Sequence, residues 1–344
     1  MNIKNAKVFA LAAAAALAVT SPAMPHHSDA GVDMSKVVAF DGTVKEFIWK
    51  NPHVYFLVDT VQNGKPVTWD VQMANLSGLA RNGWSPTTLQ RGDKVSVRVH
   101  PAADGRTYGI YESVDMPGGL KLNEKFKAPA VVQPATSIAG KWLTERSSVK
   151  EYPGGFDGFF RANLVLSDKG KAAQAAYNPL GAEAPEASCN GRPTPSALVS
   201  TGGYVMEIEI KEAEKLVMVR SEWYNEVRTV YMDGRKHPDP SVRLLTGHSI
   251  GHWEGKTLVI DTANFADHRS PYQIGVPSGG KKHVVERYTL QPDGLRMDAE
   301  FMLEDADYLA KPMVHKRVLV YSPQVPMYLG ECDKTATSRF LPKK

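Results

Sequence analysis

From Val37 to Tyr321 the chain repeats one local pattern: short runs rich in Val, Ile, Thr, Tyr and Phe that alternate apolar with polar residues, each closed by Gly, Pro, Asn-Gly or Asp-Gly. A period of two puts one set of side chains on each face of a strand, so such runs are stable only when paired in sheets with one face buried. The 28 glycines and 23 prolines supply the turns this requires and interrupt long helices. The pattern predicts an all-β protein. With about 320 residues beyond the leader described below, the chain exceeds what one core usually organises, which predicts two domains.

The first domain is placed at residues 24–120. Phe40 to Trp49, Val54 to Asp59 and Val67 to Gln72 read as strands, the last two joined at Asn63-Gly64, a strong hairpin signal. A short helical or looped stretch follows from Asn75 to Asn82, then strands from Lys94 to His100 and from Thr107 to Val114. Five strands and one short helix in this order suit a small OB-like barrel, with a small β-sandwich as the alternative.

Residues 121–137, with Pro129, Pro134 and several alanines in no clear period, read as a linker. The second domain, 138–344, opens at Gly140-Lys141-Trp142. A strand from Ala162 to Leu166, a helical patch from Lys169 to Tyr177 and a Pro/Gly-rich loop from Asn178 to Pro195 come next. Further strand-like runs begin at Val205, Leu216, Val227, Ile250, Thr257, His283, Met297 and Lys316. This predicts a larger, lipocalin-like antiparallel β-barrel, an architecture that can enclose one small ligand.

Lys4 and Lys7, the apolar run Val8 to Val19 and the small residues Ser21 and Ala23 form a secretory signal peptide over residues 1–23. Its apolar run is about 12 residues long, well short of the roughly 20 a spanning helix needs. Cleavage after Ala23 predicts a periplasmic or secreted protein that does not span the membrane. Loss of Lys4 and Lys7 takes the formal charge from +4 to +2, which gives no footprint for nucleic acid. In an oxidising compartment Cys189 and Cys332 are either one long-range disulfide or two free thiols.

The N-terminal part resembles an uncharacterised family of exported bacterial proteins, on His26-His27-Ser28 and Trp49-Lys50-Asn51-Pro52-His53, supported by Trp69 and Gly92-Asp93. The resemblance runs from about His26 to Leu122. Relatives often carry a small residue directly before the His pair, where this chain has Met24-Pro25. The C-terminal part is similar to a second poorly described exported family on the stretch Gly247-His248-Ser249-Ile250-Gly251-His252-Trp253-Glu254-Gly255, continuing to Thr262. Both resemblances imply architecture and compartment and bring no established activity.

Two constellations could carry chemistry. His26, His27 and His53 could bind copper or zinc, since imidazole suits both ions. Pro25 lacks the amide hydrogen that an amino-terminal copper site with a third-position His would use. The alternative places His53 in a backbone hydrogen bond and His26-His27 in a tail. The second constellation is an acid–base set in the C-terminal barrel, led by Glu286, His248, Asp261 and Glu254, with Arg287, Glu304 and Asp305 nearby in sequence. Alternation puts Glu286 on one face with Val284 and Tyr288, a candidate inward carboxylate of raised pKa, and Arg287 on the other. Asp261 lies opposite Leu258 and Ile260, so it faces solvent if that pair fills the core. Arg235 and His237 either line a cavity mouth or sit on a solvated hairpin. Ser249 matches a Gly-x-Ser-x-Gly string but lacks the strand-turn-helix context of a nucleophile elbow.

The resulting expectation is an exported barrel that binds a small, largely apolar molecule, with cofactor-free hydro-lyase or isomerase chemistry as its catalytic form. The alternatives are a copper or zinc protein and an N-terminal docking module for an envelope partner. Oligomeric state is not encoded in any of these features.

Overall fold

The structure, a computed structural model, describes residues 31–116, 133–181, 184, 189–330, 332–339 and 341. The expected signal peptide, His26, His27 and the expected linker up to residue 132 lie outside the described residues.

Strands β1 (Val38–Ile48), β2 (Tyr55–Gln62), β3 (Lys65–Gln72), β4 (Lys94–Pro101) and β5 (Tyr108–Asp115) close into a barrel in the order β1-β2-β3-β5-β4. A ring with an odd number of strands cannot alternate direction all the way round, so at least one neighbouring pair must run parallel. Here it is β3 with β5. A parallel pair needs a crossover longer than a hairpin, and α1 (Leu76–Arg81) with β4 lies in that connection. Asn75 caps α1 by accepting from the Gly78 amide at 2.7 Å. Val44, Phe56, Val58, Trp69, Val71, Val95, Val97 and Val99 fill the interior.

The second barrel has nine strands: β6 (Gly140–Thr144), β7 (Met206–Lys211), β8 (Leu216–Ser221), β9 (Glu226–Tyr231), β10 (His248–Glu254), β11 (Thr257–Ala263), β12 (Lys282–Leu290), β13 (Arg296–Asp305) and β14 (Met313–Tyr321). The same parity rule applies. All neighbours are antiparallel except β9 and β10, joined by the long connection from Met232 to Gly247. The barrel therefore departs from the fully antiparallel arrangement expected at one seam. Three helices, α2 (Gly155–Asn163), α3 (Asp168–Ala175) and α4 (Ser196–Val199), lie between β6 and β7.

The strand expected from Ala162 to Leu166 is absent. Ala162 and Asn163 end α2, and Leu166 makes an isolated bridge to Leu309. The cause is the helical spacing of Phe156, Phe159 and Phe160, which pack against the large core.

The centre of the second barrel is filled by side chains, among them Trp142, Leu258, Ile260, Tyr288 and Phe301, all fully buried. It is not wholly apolar. Arg228, Glu286, Ser249 and Thr262 are buried beside them.

After β14 the chain returns to the small barrel. Cys332 makes a parallel bridge with Asn51, the Asn51 side-chain amide donates to the Gly330 carbonyl at 3.0 Å, and Lys50 pairs with Asp333 at 2.7 Å. Arg339 pairs with Asp70 at 2.9 Å. The Trp-x-Asn-Pro-His segment is thus the seam on which the C-terminal tail docks.

Candidate functional site

Between the barrels lies a cavity of about 790 Å³, within the size range of small-molecule sites. Its small-barrel wall is the β1–β2 connection at Pro52 and His53, the end of β3 running on through Met73 to Asn75, and Ile110 and Tyr111 of β5. Its other wall is one mouth of the large barrel: Thr144 closing β6, the segment from Arg146 to Tyr152, the first turns of α2, the stretch from Val199 to Tyr204, Trp223 and Tyr224, Gln273, and His315 and Arg317 of β14.

Aromatic rings dominate this wall. Tyr204 stacks on Trp223 with centroids 5.6 Å apart, Phe156 meets Trp223 edge-on at 4.3 Å, and Phe159 does the same to His315 at 4.6 Å. Such offset and edge contacts hold rings rigidly, so the surface is preformed. Tyr224 and Gln273 both take left-handed backbone, each with φ of 58°, which side chains of this size seldom adopt. Strained backbone of this kind concentrates where a chain positions groups for a ligand.

Polar side chains sit among the rings, His53, Gln72, Asn75, Gln273, His315 and Arg317 among them. Arg317 is buried and donates from Nη1 to the Leu198 and Val199 carbonyls at 3.0 and 2.9 Å and to Thr144 Oγ1 at 3.2 Å. Its Nη2 donates to His315 Nε2 at 3.2 Å. Burial lowers the His315 pKa to about 4, with the Arg317 charge acting in the same direction, so the imidazole is neutral and accepts at Nε2. Burial also pulls Arg317 down to about 10. His53 meets the Met73 carbonyl through Nδ1 at 3.3 Å.

The acid–base residues read from the sequence fall in three places. Glu286 points into the large barrel, as alternation requires, and is fully buried. Its Oε2 lies 2.6 Å from Arg228 Nη1 and its Oε1 accepts from Tyr288 at 2.7 Å. Burial, the largest influence on Arg228, would depress it, but Glu286, Tyr288 and Glu226 together outweigh it and the pKa rises. Glu286 does not line the cavity.

His248 and Asp261 meet on the outer wall, because Leu258 and Ile260 fill the core. Asp261 Oδ1 takes His283 Nε2 at 2.9 Å and His237 Nε2 at 3.1 Å, and His237 Nδ1 lies 3.0 Å from His248 Nδ1. The hydrogen bond from His283 holds the Asp261 pKa down despite desolvation, and that same bond raises His283. Desolvation, with His237 and Arg235 adding to it, lowers His248. The sequence leaves His237 between a cavity mouth and a solvated hairpin, and gives His283 no role. Alternation puts His283 on the same face as Val285 and Arg287, opposite Glu286, which was the available signal. Glu254 sits at the exposed end of β10, paired with Arg287 and 3.2 Å from His252. Among the described residues no group of three or more His, Cys, Asp or Glu is arranged to hold a metal ion.

The Gly-His-Ser segment has a structural explanation. Gly247 has φ of +73°, and a Cβ there would meet Thr262 Cγ2 at 2.7 Å and a Phe265 ring carbon at 2.8 Å. Ser249 accepts from Arg228 at 3.3 Å and shares a hydrogen bond with Thr262 at 2.9 Å. Ser249 therefore helps satisfy a buried guanidinium, and Gly251 makes room for Met232, whose Sδ would lie 2.6 Å from an added Cβ.

Residues 14–112 match a family of unknown function, DUF6152. The match covers the small barrel through most of β5 and the segment before it, and leaves the large barrel outside. No curated protein matches the chain.

Proposed function

We infer that the protein binds a small, largely apolar molecule in the cavity between its barrels, and that it does so in the bacterial envelope after removal of residues 1–23. The observation that carries this reading is the preformed, ring-lined space of about 790 Å³, most of whose exposed wall is apolar. A signal peptide in the sequence and the Cys189–Cys332 disulfide support the compartment. Binding is favoured over acid–base catalysis because Glu286, His248, Asp261 and Glu254 are all absent from the cavity lining.

The test uses the neutral dye phenylnaphthylamine, followed by its fluorescence. The full chain should give saturable, one-to-one binding. Gly202 lines the cavity and an added Cβ there meets nothing within 4 Å. Gly202→Trp should therefore place an indole at the mouth without a clash, weaken dye binding at least about tenfold and leave thermal stability unchanged. Binding that does not saturate, or that ignores the Gly202 substitution, would remove the reading.

A further inference from the structure

The charge on the cavity wall is unbalanced. Arg146, Lys150 and Arg317 line it with a single carboxylate, Glu151. Arg146 and Lys150 are exposed at the rim, whereas Arg317 is buried at the base beside Thr144 and His315.

A buried guanidinium is costly unless a negative charge accompanies it, and two other buried arginines of this chain have one. Arg228 has Glu286 and Arg81 has Glu222, both carboxylates fully buried. No carboxylate pairs with Arg317 among the described residues. Its hydrogen bonds go to two backbone carbonyls, two hydroxyls and a neutral imidazole, the Phe159 ring centroid lies 5.8 Å from its guanidinium carbon, and its Nε has no hydrogen-bond partner. The carbonyls fix the side chain in place and leave its formal charge uncompensated. His315 cannot compensate it, being an acceptor at Nε2 and neutral.

We propose that the ligand of this cavity is an organic acid, an apolar and preferably aromatic body bearing one carboxylate, with the carboxylate drawn to Arg317 and the body held among Phe156, Phe159, Tyr204 and Trp223. Guanidinium is weakly hydrated and donates in a planar fork that matches a carboxylate. The positive rim steers an anion inward. The inference rests on the binding reading above and adds the chemical class of the ligand.

The experiment compares naphthoate with naphthalenemethanol, two probes with the same ring system that differ in the carboxylate, by calorimetry on the full chain near neutral pH. The wild type should bind naphthoate at least about tenfold more tightly. Arg317→Met should abolish that preference while alcohol binding persists, and Arg317→Lys should keep part of it. Arg146→Gln with Lys150→Gln, both at the exposed rim, should leave most of it in place. Equal affinity of the wild type for the two probes overturns the acid and leaves the binding reading intact. Failure of both probes and of the neutral dye takes down both. A preference that survives Arg317→Met, or that vanishes in the rim variant, overturns the assignment to Arg317. The wild-type comparison and the rim variant decide the matter even where Arg317→Met does not fold.

Discussion

Arg81 at the end of α1 in the small barrel forms an ion pair with Glu222 of the large barrel, with the two side chains 4% and 0% exposed. Glu222 also accepts the Val205 amide at 2.7 Å through Oε2 and the Tyr328 amide of the C-terminal tail at 2.7 Å through Oε1. Arg81 donates in addition to the Gly203 carbonyl at 2.7 Å. One carboxylate thus ties together both barrels and the tail, next to the cavity they enclose. Removing one partner of a buried pair strands the other charge, at a cost of about 3–5 kcal/mol. Glu222→Gln should lower the urea midpoint by the corresponding amount, and a midpoint within error of the wild type would show that the pair does not couple the barrels.

Inside the large barrel the Arg228–Glu286 pair, 2.6 Å apart, invites the opposite comparison. Glu286→Gln should destabilise by about 3–5 kcal/mol, since Arg228 is then left buried without its counter-charge. Replacing both residues by Met should recover most of the loss, because apolar groups of similar volume avoid the desolvation of two ions. Dye binding should change by less than about twofold in either folded variant, as neither residue lines the cavity. A Glu286→Gln protein of full stability that loses binding would place the functional centre inside the barrel instead.

The strands were legible because the period of two is a local property. The burial of alternate residues in β12, with Val284, Glu286 and Tyr288 inward, follows directly from the spacing. The cavity was not legible. Its walls come from aperiodic segments, Arg146 to Tyr152 and Gly202 to Tyr204, and from a second barrel far away in sequence. Arg317 illustrates the difficulty: it shares a face of β14 with Leu319 and Tyr321, but Val318 and Val320 make the other face equally apolar, so alternation alone does not say which face turns inward. The Phe156, Phe159 and Phe160 spacing that produces α2 was present in the sequence, but the neighbouring run from Ala162 to Leu166 imitates a strand.

His268 gives the pH dependence a definite sign. It is buried, its Nδ1 accepts from the Ser270 amide at 3.1 Å, and its Nε2 contacts the Gly191 carbonyl at 3.1 Å. The Nδ1 bond requires the neutral ring, which leaves the proton on Nε2 to be donated to Gly191. Burial, with Arg192 and Lys282 adding to it, lowers the pKa from 6.5 to about 3. Because the folded value lies below the unfolded one, this stability is fully present above the unfolded pKa and is lost as pH falls toward 3, by an amount on the order of a few kcal/mol. His315, lowered to about 4, acts in the same direction. Urea titrations from about pH 7 to about pH 4 should show a shallower loss in His268→Gln than in the wild type, and parallel losses would eliminate His268 as a source.

The tail that docks on the seam between the barrels is held by the bridge between Cys189 and Cys332, which are 143 positions apart with Cα atoms 5.8 Å from each other. Closing a loop of that length removes enough freedom from the unfolded chain to be worth about 5 kcal/mol in the chain-entropy account. The position of Cys332 adds a local consequence. The neighbouring Gly330 carbonyl accepts from both Asn51 and Asn225, at 3.0 and 2.6 Å, and Asp333 donates its amide to the Asn51 carbonyl at 2.9 Å. These bonds join one barrel to the other through the tail, and each depends on the tail staying in register. The double substitution Cys189→Ser, Cys332→Ser should therefore lower stability by several kcal/mol. It should also speed proteolysis and amide exchange first in the segment from Gly330 to Arg339, ahead of either barrel core. Uniform loss of protection across both barrels would mean that the bridge acts only on the unfolded chain. Protection unchanged at Asn51 and Asp333 would show that the seam holds without it.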